Sequence, residues 1–265
     1  MNENLEKINP NKLIIGTLLV IFLVIMIWKI LYIQNSYSLL IPFFVLITIS
    51  YSFIEIKIYE RSCFISCYFN EKTLLATILT GRIFLILLFV IFSIMMTISL
   101  MYSLIDYEMK MWIYLIVQIV FMVILYKFFL RKFSKIIKEH FLEIFVRELI
   151  IKISHIFLLG FAIYLIMNGF EPDYLTHDLQ SSISNATNSI SSKSEITEYI
   201  FRLKREIDAI FWWSIVNSTE KMQEGVYKTL IWSSFIIINC LAILGINRFI
   251  GQIIYLLNKL FKEKR

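Results

Sequence analysis

Charge is scarce in this chain, and what there is lies in blocks. Only 17% of the 265 residues are Asp, Glu, Lys or Arg, whereas 58% are hydrophobic and mean hydropathy is +0.74. A soluble domain carries about a quarter charged residues and keeps its apolar share near one half. Glycine (7), proline (3) and cysteine (3) are equally thin. Three cysteines exclude a disulfide scaffold, the more so with Cys63 and Cys67 in a loop assigned to the reducing cytoplasm and Cys240 inside an apolar run. The spacing from Cys63 to Cys67 places both thiols on one helical face. A metal centre would need two more ligands, and His140, His155 and His177 are scattered, so structural thiols are the better reading and no cofactor is expected.

Signatures of catalysis are also missing. There is no Gly-rich phosphate loop, no His-Glu-x-x-His pair and no Gly-x-Ser-x-Gly elbow. The apolar runs contain no Asp, and the one His within them, His155, stands alone. The expectation is a non-enzymatic protein.

What the chain does have is a series of long apolar runs, at Leu13–Ile33, Leu39–Ile56, Ile83–Leu104, Trp112–Leu130, Leu149–Gly169 and Thr229–Phe249. A hydrocarbon core about 30 Å thick takes about 20 helical residues to cross. A helix satisfies its own backbone hydrogen bonds in lipid, and these runs lack the period-2 alternation of a transmembrane barrel. The fold class is therefore all-α, a polytopic transmembrane helical bundle of about six spans.

Lys and Arg orient it. With the N-terminus inside, the basic loops 57–82 and 127–152 and the basic tail all lie in the cytoplasm, together with most of the 26 cations. Both termini are then cytoplasmic, in a plasma (inner) membrane. Trp28, Trp112 and Trp232 fall at outer span ends, where amphipathic rings favour the interface. The expected organisation is a five-span region over 1–169, an extracytoplasmic helical segment over 170–228, and a sixth span with a basic tail over 229–265.

Two water-facing segments carry pattern. Around the loop that ends near Lys152, the cations Arg131, Lys132, Lys135 and Lys138 oppose an apolar face that includes Phe133, Phe141 and Phe145. That suits the anionic inner leaflet, an extension of the fifth span, or a cytosolic partner protein. Nucleic acid is disfavoured because the aromatics lie on the apolar face and Glu139, Glu143 and Glu148 dilute the charge. In the outer segment, Leu179, Ile183, Ala186 and Ile190 step by four and three. After a Ser-rich break, Ile196, Ile200, Leu203, Ile207 and Ile210 do the same. These are heptad-like seams on two consecutive helices, which predict an outer helical hairpin that packs on the spans or pairs between subunits in a homo-oligomer.

Polar residues inside spans are costly and mark candidate sites. Ser234, Asn239 and Asn247 are the candidates for lining a solute path, with Asn239 also suited to bond a neighbouring helix and Arg248 to anchor a lipid phosphate. Two functions remain open: an assembly factor or sensor that uses the outer hairpin and the basic inner face, or a channel or permease subunit with span six along the path. Heavy use of Ile, Lys, Asn and Phe is typical of AT-rich bacterial genomes, and such composition also occurs among immunity and phage-defence genes.

Overall fold

The computed structural model of the chain describes residues 9–34, 37–68, 82–105, 109–167, 171–220, 222 and 225–263, apart from the side chains of a few helical positions, 237–239 among them. Among the described residues all regular structure is helical: α1 (Pro10–Gln34), α2 (Leu40–Tyr68), α3 (Arg82–Ser103), α4 (Met109–Phe133), α5 (Glu139–Met167), α6 (Leu179–Asn188), α7 (Glu195–Glu220), α8 (Val226–Asn239) and α9 (Leu241–Glu263). Five helical stretches are long and apolar enough to cross a membrane: Pro10–Gln34, Leu40–Arg61, Ile83–Ser103, Met111–Phe133 and Leu241–Glu263.

Helix α1 shows why lipid must surround the bundle. Its buried stripe, Leu13, Thr17, Ile21, Ile25, Trp28 and Tyr32, repeats every three to four residues and packs inward. The opposite face is just as oily, with Ile15, Leu19, Leu23, Ile30 and Ile33 all exposed. A helix apolar on every side belongs in a nonpolar medium.

The largest departure from the expected layout lies at the C-terminus. The run Thr229–Phe249 is not one helix. A turn at Cys240 divides it into α8 and α9, and Leu244 N donates to the Cys240 carbonyl at 2.9 Å as α9 begins. The helix long and apolar enough to span is α9, shifted toward the C-terminus and about 34 Å in length at 1.5 Å per residue. It is the axis of the bundle, packed against α1, α2, α3, α4 and α5. Its most apolar window is 67% buried, against 28–39% for the other four candidates, and its hydropathy of 1.4 is the lowest of the five. Enclosure lets it be polar. Gly245 allows close approach to α3, since a Cβ there would lie 3.0 Å from the Met96 carbonyl oxygen.

Both cytoplasmic loops of the expected layout are partly helix. α2 continues through Glu60 to Tyr68, and the rest of the first loop, residues 69–81, lies outside the described residues. α4 ends at Phe133, a short turn follows, and α5 then runs unbroken from Glu139 through the apolar run that begins at Leu149. Residues 139–152 thus belong to one helix with the apolar run that follows, a helix that is not among the five candidate spans. Trp28 is wholly buried, edge-on to Phe201 of α7 at 5.9 Å and tilted against Tyr32 at 5.4 Å, so it joins α1 to α7.

Candidate functional site: a polar core around the axial helix and an outward apolar row

Four charged side chains meet inside the bundle where α2, α5 and α9 converge. Arg147 has a wholly buried side chain and uses all five of its N–H bonds. Nη1 donates to Glu55 and, at 2.8 Å, to Gln252 Oε1. Nη2 donates to the Ser52 carbonyl at 3.1 Å and to Glu148 Oε1 at 3.0 Å, the oxygen that also accepts from Nε at 3.2 Å. Arg248 grips the same carboxylate, with Nη2 to Glu148 Oε2 at 2.9 Å and Nη1 to Oε1 at 3.1 Å. It also donates to Ser52 Oγ at 3.1 Å and stacks over the Phe53 ring at 3.7 Å. Tyr255 donates its hydroxyl to Glu55 Oε1 at 3.2 Å. Two cations and two carboxylates give a neutral set with its hydrogen bonds made, the condition under which buried charge is tolerated in a low dielectric.

Arg248 thus sits in the core, not at the lipid headgroups, because α9 starts later and runs deeper than the apolar run suggested. Arg147 and Glu148, read from sequence as part of a cytoplasmic loop, point inward from α5. The signal was available: an Arg-Glu pair set among Ile144, Val146, Ile150 and Ile151, all buried, balanced by one Glu in span two and one Arg in span six.

Above this cluster Gln118 Nε2 donates to Asn247 Oδ1 at 2.8 Å, and both residues are buried. Below it Lys127 donates to Asn258 at 3.0 Å and Lys262 to Glu143 at 3.0 Å. The lower end opens into a cleft of about 470 Å³ lined by Glu55, Tyr59, Glu139, His140, Glu143 and Tyr255, among others. Of the three candidate path residues Asn247 joins this core. Ser234 is exposed on α8, and the Asn239 side chain lies outside the described residues. Among the described residues no group of three His, Cys, Asp or Glu is placed to hold a metal ion.

The outer helices form a second feature. α6 and α7 pack on each other, and α7 also touches α3 and α8. Asp178 caps α6, accepting from Ser181 N at 2.8 Å, and that bond holds its carboxyl below the usual carboxylate range. Ser192 donates to the Tyr32 carbonyl at 3.1 Å, and Thr197 shares a 2.7 Å hydroxyl contact with Ser38, so the start of α7 rests on the ends of α1 and α2. Arg205 ties α7 to α3 and α6 by donating to the Tyr102 hydroxyl and, at 3.3 Å, to the Ala186 carbonyl. Burial pushes the Asp208 carboxyl up, and the Lys204 ammonium it pairs with pulls it back.

The inward face of α7 is Thr197, Phe201 and Ala209. The apolar seam points the other way. Ile196, Tyr199, Leu203, Ile207, Ile210 and Phe211 are 61, 69, 45, 41, 38 and 47% exposed, while Ile200 is half-buried. On α6, Leu179 and Ile183 are half-buried, and Ala186 packs inward as the spacing predicted. At the opposite end of the bundle, Arg131, Lys132, Lys135 and Lys138 are all exposed around the α4–α5 turn. Neither family models, nor curated proteins, nor solved structures gave a match to this chain.

Proposed function

We propose that the chain is a non-enzymatic multi-pass membrane protein, an assembly factor or sensor that pairs with a second copy of itself through α7. The sixth span is α9, and both ends lie in the cytoplasm of a bacterial cell, with α6 and α7 outside. The exposed Arg131, Lys132, Lys135 and Lys138 face the inner leaflet and recruit a cytosolic partner. The observation that carries this reading is the row Ile196, Tyr199, Leu203, Ile207 and Ile210, apolar, exposed and stepped by three and four along a helix fixed to the bundle by its other face. Such a row presented to water is an interaction surface, and its spacing fits a helix partner of the same kind. Exposed Arg202 and Glu206 border it, offering opposite charges to an antiparallel copy.

Leu203→Asp combined with Ile207→Asp is expected to turn the oligomer into a monomer without loss of membrane insertion. Single-molecule photobleaching of the labelled full chain in native nanodiscs reads this directly. A wild-type protein that bleaches in one step, or a double variant of unchanged stoichiometry, would refute self-pairing. Point variants serve better than removal of Tyr174–Asn217, because Phe201 and Arg205 are part of the packing against Trp28 and Tyr102.

A second reading, a channel or permease subunit, is favoured by the enclosed polar line of α9. Asn247 rather than Ser234 is then the residue on the path. Asn247→Leu is expected to change the flux of reconstituted protein, and a bilayer recording that stays silent across potentials and pH would count against conduction.

A further inference from the structure

Register along three neighbouring helices stacks the core in rows. α4 runs alongside α9, as Gln118 bonds Asn247 and Lys127 bonds Asn258; α5 runs opposite to α9, as Arg147 bonds Gln252 and Glu143 bonds Lys262. One row is Tyr126, Tyr255 and Arg147, of which Tyr255 lines the cleft. One turn higher comes an apolar row: Met122 and Ile151 close on Gly251, whose absent Cβ would lie 2.6 Å from Ile151 Cγ1 and 3.6 Å from Met122 Cε. One turn higher again, the same register brings Gln118, Asn247 and Ser154 to one level, and all three are buried.

That upper row keeps buried polar atoms unmatched. Asn247 Nδ2 and Ser154 Oγ are buried with no hydrogen-bond partner among the described residues. Flipping both amides of the Gln118–Asn247 pair leaves an Asn247 side-chain atom in the same unpartnered position, an oxygen in place of the NH₂. Ser154, like Ser50 and Thr97, has a buried hydroxyl with no partner among the described residues. Thr17, Thr48 and Ser93 each donate to the carbonyl four residues back, at 2.8, 2.9 and 2.7 Å, and Ser154 does not. Below the apolar row Gln252 Nε2 is orphaned too: Arg147 can only donate, so the Gln252 oxygen must face it and the amide NH₂ must face away. A buried donor left unmatched costs about 1–3 kcal/mol, and a buried water makes about three hydrogen bonds to such groups.

We infer that Gln118, Asn247 and Ser154 bind water in the middle of the membrane, in a chamber separated from the cytoplasmic cleft by the Met122–Ile151–Gly251 row. The site takes a small neutral molecule able both to donate and to accept, and a narrow apolar constriction of this kind holds a chamber shut by dewetting. The chamber stands whether or not the protein conducts, so silence in a flux assay leaves it intact.

Water-edited solid-state NMR of the full chain in liposomes of deuterated lipid tests it. Magnetisation from water is expected to reach the Asn247 or Gln118 side-chain amide at short mixing times, well before it reaches the buried backbone amide of Ile119. Ser154→Val, which fills the space and removes the hydroxyl, is expected to abolish the early transfer, with Ser154→Ala as the substitute should the valine variant misfold. Ile151→Ala, which widens the constriction, is expected to speed it. No early transfer in the wild type, or early transfer untouched by loss of the Ser154 hydroxyl, overturns the water site. An unchanged build-up in Ile151→Ala overturns the barrier.

Discussion

Replacing Arg147 with Ala is expected to keep the protein from accumulating in the membrane, the largest single effect of any substitution considered. Removing the guanidinium leaves the Glu55 carboxylate with only the Tyr255 hydroxyl, removes the donor to the Ser52 carbonyl, and strands the Gln252 oxygen. Breaking one side of a buried ion pair costs about 3–5 kcal/mol, because the remaining charge stays desolvated, and a folded protein has only about 5–15 kcal/mol to lose. Arg147→Lys is expected to fail as well: an ammonium has three donors on a flexible stem and cannot reproduce five bonds in a planar fork. Arg147→Ala combined with Glu55→Gln is expected to recover part of the loss, since the uncompensated charge is then gone. Thermal unfolding in detergent and steady-state abundance both read the difference, and a wild-type melting temperature for Arg147→Ala would show that the cluster holds nothing together.

Gly251→Val is expected to be nearly as severe, for a steric reason. Even the first carbon of the new side chain would fall 2.6 and 2.8 Å from Ile151 Cγ1 and Cδ1, closer than real contacts allow. Overpacking a closed core costs about 1–3 kcal/mol, and more where the backbone cannot move. Here α9 is held by its neighbours on all sides, and its hydrogen bonds to α2 and ion pairs to α5 depend on its position, so a shift to relieve the clash would break them too. Gly251→Ala with Ile151→Ala is expected to restore much of the stability lost by Gly251→Ala alone, because the second change removes the atoms in the way. A double variant no better than the single one would place the strain elsewhere.

The membrane class and the helical fold were legible because hydropathy is a one-dimensional signal. The runs Leu13–Ile33, Ile83–Leu104 and Trp112–Leu130 fall within α1, α4 and, but for one residue beyond its end, α3. The polar core was not legible for the same reason. Averaging over a window lowers the score of α9 for Asn247, Arg248, Gln252 and Asn258, although their polarity is neutralised by Gln118, Glu148, Arg147 and Lys127 on other helices. Only Glu55 and Arg248 inside apolar runs, with the Arg147-Glu148 pair at the edge of another, pointed to a balanced set. The turn at Cys240 has no Pro or Gly to announce it.

The outer helices teach a different lesson. The four-three spacing of Ile196, Leu203, Ile207 and Ile210 correctly gave an amphipathic helix, and it left open whether the seam served the hairpin or a partner. In α7 the inward face is mixed, with Thr197, Phe201, Arg205 and Ala209, and its polar groups find partners in Ser38, Tyr102 and the Ala186 carbonyl. With that face satisfied, the apolar seam stays exposed. Periodicity identifies a face; only the neighbours decide whether it is covered.

The most direct test of an axial α9 that carries its charges inside the bilayer is a cysteine scan from Tyr227 to Lys262 in a background without native cysteines. Intact cells would be treated with an aqueous maleimide from outside and inverted vesicles from the cytoplasmic side. Positions 227 and 230 are expected to react from outside, 244–255 to stay protected from both sides, and 262 to react from the cytoplasm. Ready labelling of positions 250–255 from the cytoplasmic side would mean that Thr229–Phe249 is the span after all, and that Arg248 lies at the headgroups.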